Sequence, residues 1–422
     1  MRFSSTAAAL AGAAFLPSVL GYPGMDKLLG ELQDKAKRQD CCDSTELIGD
    51  LITLSDSQLS PVGHLVKNII VGNASGESNE DYYNVPLLNT ASCAADTCCI
   101  WQYIANTMEA SFRGASGRCT NAARAAVRLG FHDAAGWSKS TGPLGGADGS
   151  IVLAPSEILR PKNNGLQEII QQMQIWYNQY HGYGVSMADL IQFGATVATV
   201  VCPLGPRIHS FVGRYDSSIP APDGLLPGPF DSADFLIDLF RDKTIQPHGL
   251  TALLGAHSTS QQRFVDTSRA GDPQDGTPGV WDVLYYKQTL GPKPPRVFTF
   301  QSDINLSEDP RIYPEFAAFA GPGGQQHWNE DYAREYVRLS LLGVYNINNL
   351  TDCTKTLPNA ITTYVAADQW IVDLWVGTTI HLQAVADALL NGSLITNLLS
   401  LILGILLKVK RTVVETVATG SA

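Results

Sequence analysis

The chain reads as a mainly α-helical protein with long, ordered loops. Two observations predict this: six stretches carry apolar residues at three- and four-residue spacing, and glycine- and proline-rich segments separate them. With 422 residues, 45% of them hydrophobic, the chain can bury a large core, arranged as one big domain or two lobes. No internal repeat is evident.

The helical spacing covers residues 98–112, 120–131, 165–180, 187–201, 232–240 and 247–258. Between them lie loops such as Pro220 to Pro229 and Gly271 to Gly279. The stretch from Gln39 to Thr90 is polar, holds Cys41 and Cys42 side by side, and reads as an extension or linker. At the start, Arg2, an apolar run from Ala7 to Leu20 and small residues near Gly21 read as a secretory signal peptide over residues 1–21, with a buried first helix as the alternative. Lys37-Arg38 offers a processing site that would start a mature chain near Gln39. The expected organisation is a leader (1–21), a propeptide or extension (22–90), a catalytic domain (91–358) and a C-terminal extension (359–422).

That C-terminal extension holds an apolar stretch from Leu389 to Leu407, short for a membrane span and followed by a polar remainder. A docked or self-associating helix, or a membrane-surface contact, are the readings it supports. Eight cysteines behind an export signal favour disulfides over zinc or free thiols. Sequons at Asn73, Asn305, Asn349 and Asn391 fit a secreted, extracellular glycoprotein. A net charge of −11 without a long basic run argues against nucleic acid as a partner.

Four local patterns carry chemistry. In Arg128-Leu-Gly-Phe-His132-Asp133 a spacing of four puts a guanidinium and an imidazole on one helix face. That pair suits cleavage of a peroxide bond, with the imidazole moving a proton and the cation stabilising developing charge. Taken alone, such spacing more often marks a surface pair or a satisfied core histidine. Next, the oxygens of Asp133, Gly146, Asp148 and Ser150 can converge on one hard cation such as calcium, a helix-capping turn being the plain alternative. Third, His257 follows Gly255 and Ala256, which leave space for a flat bulky group, so the imidazole is a candidate ligand for haem iron as well as a candidate structural histidine. Fourth, Asp275, Thr277, Val280 and Asp282, with Ser258, offer a second calcium site that would tether the segment bearing His257.

The order of these patterns, together with Pro220-Ala-Pro-Asp-Gly224, resembles the secreted fungal class II haem peroxidases, the lignin, manganese and versatile peroxidase group, from about Cys93 to Cys353. The resemblance implies a two-lobed fold with haem b between distal and proximal lobes. It also implies that Arg128 and His132 stand above the iron with Phe131 against the haem face. Asn163, supported by Glu157, would fix the tautomer of His132. His257 would bind the iron, and Asp303 would accept its second N–H. Two Ca²⁺ would occupy the sets above. Disulfides are implied between Cys93 and Cys99, Cys98 and Cys353, and Cys119 and Cys202, with no counterpart to a fourth bridge near Tyr313.

Departures bear on the electron donor. Where manganese oxidation needs carboxylates the chain has Asn121, Ala125 and Arg263, and Ala252 stands in place of a surface tryptophan. Gln274 replaces an aromatic before Asp275. The expected activity is therefore one-electron oxidation of small phenolic or dye-like donors by hydrogen peroxide at the haem edge. The alternatives are high-potential chemistry through another exposed aromatic, with Trp137 or Trp328 as candidates, and a non-catalytic haem-binding surface protein.

Overall fold

A computed structural model describes residues 43–82, 84–379 and 382–395. The leader, the Lys37-Arg38 site, Cys41, Cys42 and the apolar run beyond residue 395 lie outside the described residues.

The structure is dominated by helices. Its one described sheet is a two-residue antiparallel pairing of Phe211–Val212 (β1) with Thr351–Asp352 (β2). At the centre, Asn121–Ala134 packs along Met187–Val201, a helix whose residues are all buried. Caps fix where these helices begin. Thr120 Oγ1 accepts from the Ala123 amide and Ser186 Oγ from the Asp189 amide, satisfying donors that the first turn leaves free. Cys99–Phe112 packs against Met187–Val201, and Gln167–Tyr180 against Asn121–Ala134, so together these helices form one half of the fold.

The other half is built from Pro247–Leu254, Leu284–Leu290, Gln301–Ser307, Tyr313–Ala320 and Gly324–Leu339. An aromatic cluster holds it together, with Trp281 stacked on Trp328 at 5.0 Å and Tyr286 edge-on to Phe316 at 4.8 Å. Three disulfides join Cys93 to Cys99, Cys98 to Cys353 and Cys119 to Cys202, the pairs that the resemblance implies.

Two expectations change. The segment read as an extension or linker is, from residue 43 onward, part of the core: Ile48, Leu51, Val66, Ile69 and Ile70 are buried in it. Pro61–Ile70 is a helix, with Pro61 at its first position and Ser60 Oγ accepting from the Gly63 amide. A polar composition averaged over the segment hides this short amphipathic helix. The second change is at residues 247–258, where the α-helix stops at Leu254 and Gly255–Thr259 tightens into a 3₁₀ turn that carries His257.

The described part of the C-terminal extension folds onto this body. Ile371, Val372, Trp375 and Val376 of Gln369–Val376 pack with Val385, Ala386 and Leu389 of Gln383–Leu390. Buried Arg118 pairs with Asp368 at 2.7 Å, and Arg124 Nη2 donates to the Leu389 and Leu390 carbonyls at 3.0 and 2.8 Å. The helix C-terminus, the negative end of its dipole, thus receives a cation.

Candidate active site

His132 lies in the last turn of Asn121–Ala134, one turn after Arg128. Its Nδ1 is 2.8 Å from Asn163 Oδ1, and Asn163 Nδ2 donates to the Glu157 carbonyl at 2.8 Å. Because that carbonyl can only accept, the Asn163 amide has one orientation, and its Oδ1 must receive a proton from His132 Nδ1. His132 therefore carries its lone pair on Nε2. Arg128 Nε donates to this nitrogen at 3.2 Å, while Nη1 and Nη2 are held by the Asn164 and Lys162 carbonyls, each at 2.9 Å.

Burial, reinforced by the charge of Arg128, draws the His132 pKa down to about 3, so the ring is a neutral base over the ordinary pH range. Desolvation also lowers the Arg128 pKa to about 10, although the residue is partly open to solvent, and the guanidinium still keeps its charge at neutral pH. A neutral base beside a fixed cation can accept a proton from one peroxide oxygen and stabilise the negative charge that appears on the other.

On the other half, His257 Nδ1 lies 3.3 Å from both oxygens of fully buried Asp303, which sits on Gln301–Ser307. Among the described residues no hydrogen bond occupies His257 Nε2, and the side chain is 34% exposed, whereas Gly255 and Ser258 on either side are buried. Tyr285 and Phe300 stand edge-on to the ring at 5.7 and 5.6 Å. An imidazole oriented by a carboxylate through one nitrogen and open at the other fits a ligand for haem iron. Phe131, Leu253, Leu254 and Ala256 are only partly buried, which fits apolar walls of a cofactor cleft. The two halves meet beside it: a Cβ on Gly165 would sit 2.6 Å from the Phe264 ring and 3.3 Å from Arg128 Nη1.

The space left by Gly255 has a different occupant from the one its sequence suggests. A Cβ there would lie 2.3 Å from the Trp328 indole, so the glycine admits a buried tryptophan rather than the cofactor. Ala252 is fully buried with its carbonyl accepting from Trp328 Nε1 at 2.8 Å, so this position is interior and not a surface site. Trp137 and Trp328 are both buried, which removes them as exposed aromatics. The role of Gln274 escapes sequence reasoning: it is buried, and its Nε2 donates to Asp303 Oδ2 at 3.3 Å, sharing the carboxylate that orients His257.

Parts of both expected cation sets lie close together. Around Asp133, Oδ2 accepts from the Gly149 amide at 3.2 Å while Oδ1 and Ser150 Oγ are buried without partners. Burial and the nearby Asp148 push the Asp133 pKa well up. Gly146 holds a φ of +110° and a Cβ would strike the Leu342 carbonyl, so only glycine fits this rim. Around Asp275, Oδ1 accepts from the Thr277 amide at 2.9 Å and Oδ2 is buried without a partner. Burial and Asp282 raise its pKa strongly, and Ser258 Oγ lies 3.4 Å from the Val280 carbonyl. Buried carboxylate oxygens lacking donors, gathered with hydroxyl and carbonyl oxygens, fit a hard cation.

Comparison with known proteins matches residues 104–321 to the family model described as Peroxidase. A peroxidase of Arthromyces ramosus is 30% identical over 298 residues, 65% of this chain and 80% of that protein. A ligninase C of Trametes versicolor is 32% identical over 297 residues, 64% of this chain and 77% of that protein. Ligninase LG5 of Phanerodontia chrysosporium is 32% identical over 287 residues, 63% of this chain and 75% of that protein. The chain belongs to the peroxidase family, as a haem-iron oxidoreductase that acts on hydrogen peroxide.

Proposed function

We propose that this peroxidase oxidises small phenol-like donors one electron at a time, with His132 as acid and base, Arg128 as charge stabiliser and His257 as iron ligand. Haem held by His257 would supply the redox chemistry, giving two electrons to the O–O bond and regaining them singly from donors. His132 Nε2 takes the proton from one peroxide oxygen and delivers it to the other, while Arg128 Nε, already aimed at the same point, offsets the developing negative charge. Asn163 and Asp303 act as positioning residues for the two imidazoles. The observation that carries the reading is the unprotonated Nε2 of each histidine, met in His132 by Arg128 Nε alone, with each Nδ1 held by a fixed acceptor.

Asp133, Gly146, Asp148 and Ser150 would hold one Ca²⁺, and Ser258, Asp275, Thr277, Val280 and Asp282 a second. The three disulfides support export along a secretory route, with the leader removed. For the donor, Mn²⁺ wants several carboxylate oxygens, and Asn121, Ala125 and Arg263 supply none. Steady-state assays with a phenol, Mn²⁺ and a non-phenolic veratryl-type alcohol test this. Clear turnover is expected with the phenol alone. Saturation kinetics with Mn²⁺, or rapid oxidation of the alcohol, would overturn the donor assignment.

A further inference from the structure

Away from both histidines of the candidate active site, three helices bring a second pair of imidazoles together with two carboxylates. His248 stands at the start of Pro247–Leu254, Glu315 in the first turn of Tyr313–Ala320, and His327 and Asp331 one turn apart on Gly324–Leu339. One ligand atom from each lies within 4.8 Å of all the others. His248 Nε2 is 3.1 Å from Glu315 Oε2 and 3.8 Å from Asp331 Oδ2, and His327 Nε2 is 3.2 Å from Glu315 Oε1 and 3.1 Å from Asp331 Oδ2. Four ligands placed tetrahedrally at about 2.0–2.1 Å from a zinc ion stand roughly 3.3 Å from one another. The four histidine–carboxylate contacts, at 3.1–3.8 Å, lie near that value, with Glu315 offering a different oxygen to each histidine.

Two further observations point to a bound ion. Glu315 Oε1 and Asp331 Oδ2 are buried and accept no hydrogen bond, although each lies close to His327. Asp43 Oδ1 is 2.5 Å from His248 Nδ1, and Asp43 is itself paired with Arg334. A carboxylate on the far nitrogen directs Nε2 into the cluster and raises its basicity, the usual outer support of a histidine that binds metal. His248, Glu315 and Asp331 are largely enclosed while His327 is 44% exposed, so an ion has an entry path from solvent.

We propose that His248, Glu315, His327 and Asp331 form a structural zinc site that clamps these three helices. The site shares no residue with either calcium set or with the haem ligands. Mixed nitrogen and carboxylate donors, four in number, favour zinc over the all-oxygen preference of calcium. The ion would fasten the helix that leads into the His257 turn.

The test uses the haem-loaded full protein, stripped with a chelator and held in excess Ca²⁺, then titrated with Zn²⁺ by calorimetry while metal content is counted by mass spectrometry. One zinc per chain and a raised thermal midpoint are expected. His327→Ala, at the exposed rim, should weaken zinc binding by about 100-fold or more. Asp43→Asn should weaken it by roughly 10- to 100-fold, as removal of an outer hydrogen-bond partner does. Asp331→Asn, nearly identical in shape, provides the same reading if His327→Ala does not fold. Absence of 1:1 binding by the wild type, unchanged zinc affinity in these variants, or tighter binding of Mn²⁺ than Zn²⁺ would overturn the assignment.

Discussion

Replacing Asn163 by Val keeps the bulk of the side chain but deletes both of its hydrogen bonds, to His132 Nδ1 at 2.8 Å and to the Glu157 carbonyl at 2.8 Å. Asn163 is 1% exposed, so water does not readily replace the lost acceptor. A buried N–H left without an acceptor costs about 1–3 kcal/mol. Not all of this reaches the reaction, because Arg128 Nε still donates to His132 Nε2 at 3.2 Å and favours the same tautomer. A loss of about 1–2 kcal/mol in the peroxide step is expected, which slows it roughly 5- to 30-fold. Stopped-flow absorbance after mixing with hydrogen peroxide measures that step directly. The same substitution made in His132→Ala should have little further effect, since Asn163 acts only through the imidazole. Wild-type rates in Asn163→Val, or an undiminished extra loss in the double variant, would refute the positioning role.

His257→Ala should change the absorbance spectrum of the haem-loaded protein, and an unchanged spectrum would remove His257 as the iron ligand. Metal analysis should find two calcium ions in the native protein and one in Asp275→Asn, with chelation lowering the thermal midpoint; no calcium, or an unmoved midpoint, contradicts the site assignments. Lys243 is fully buried, its Nζ donates among the described residues to the Trp137 carbonyl at 2.8 Å, and desolvation draws its pKa from 10.5 down to about 8. Between those values the unfolded chain binds the extra proton, so stability from this group rises with pH from about 8 to 10.5 and is lowest below 8. At about 1.36 kcal/mol per pH unit, less about 1 kcal/mol for the lost hydrogen bond, Lys243→Met should stabilise the protein at pH 7 by about 2 kcal/mol. Denaturant unfolding at pH 7 and 10 checks this, and equal stability of the two proteins at pH 7 would contradict it.

The helices that carry the chemistry are legible because they are long and periodic. Asn121–Ala134 and Met187–Val201 both lie where apolar spacing puts them, the first running three residues further to take in His132 and Asp133. Residues 43–90 are not legible in the same way, because the buried face made by Val66, Ile69 and Ile70 belongs to a single ten-residue helix inside a polar stretch. The partners of the two central histidines lie 31 and 46 residues away, at Asn163 and Asp303, and local spacing contains no trace of either. Family likeness supplies them. Gly255 shows the opposite case, where a small residue beside a histidine suggests room for a ligand and tertiary packing fills it with Trp328. His248 and His327 are on separate helices, so their meeting is visible only in three dimensions.

The vicinal cysteines Cys98 and Cys99 pair in opposite directions along the chain. Cys99 bonds Cys93, six residues back, whereas Cys98 bonds Cys353, 255 residues ahead. Closing so long a loop removes roughly 5 kcal/mol of unfolded-state entropy in the chain-entropy view. During synthesis, at about 5–20 residues per second, the Cys98 thiol must wait tens of seconds for its partner beside a disulfide that has already formed. A neighbouring thiolate attacks such a bond readily, and each exchange leaves a misplaced bridge that must be undone before the two ends of the body can be joined. In a foreign host, the yield of active enzyme should therefore follow the supply of disulfide isomerase before it follows the supply of haem.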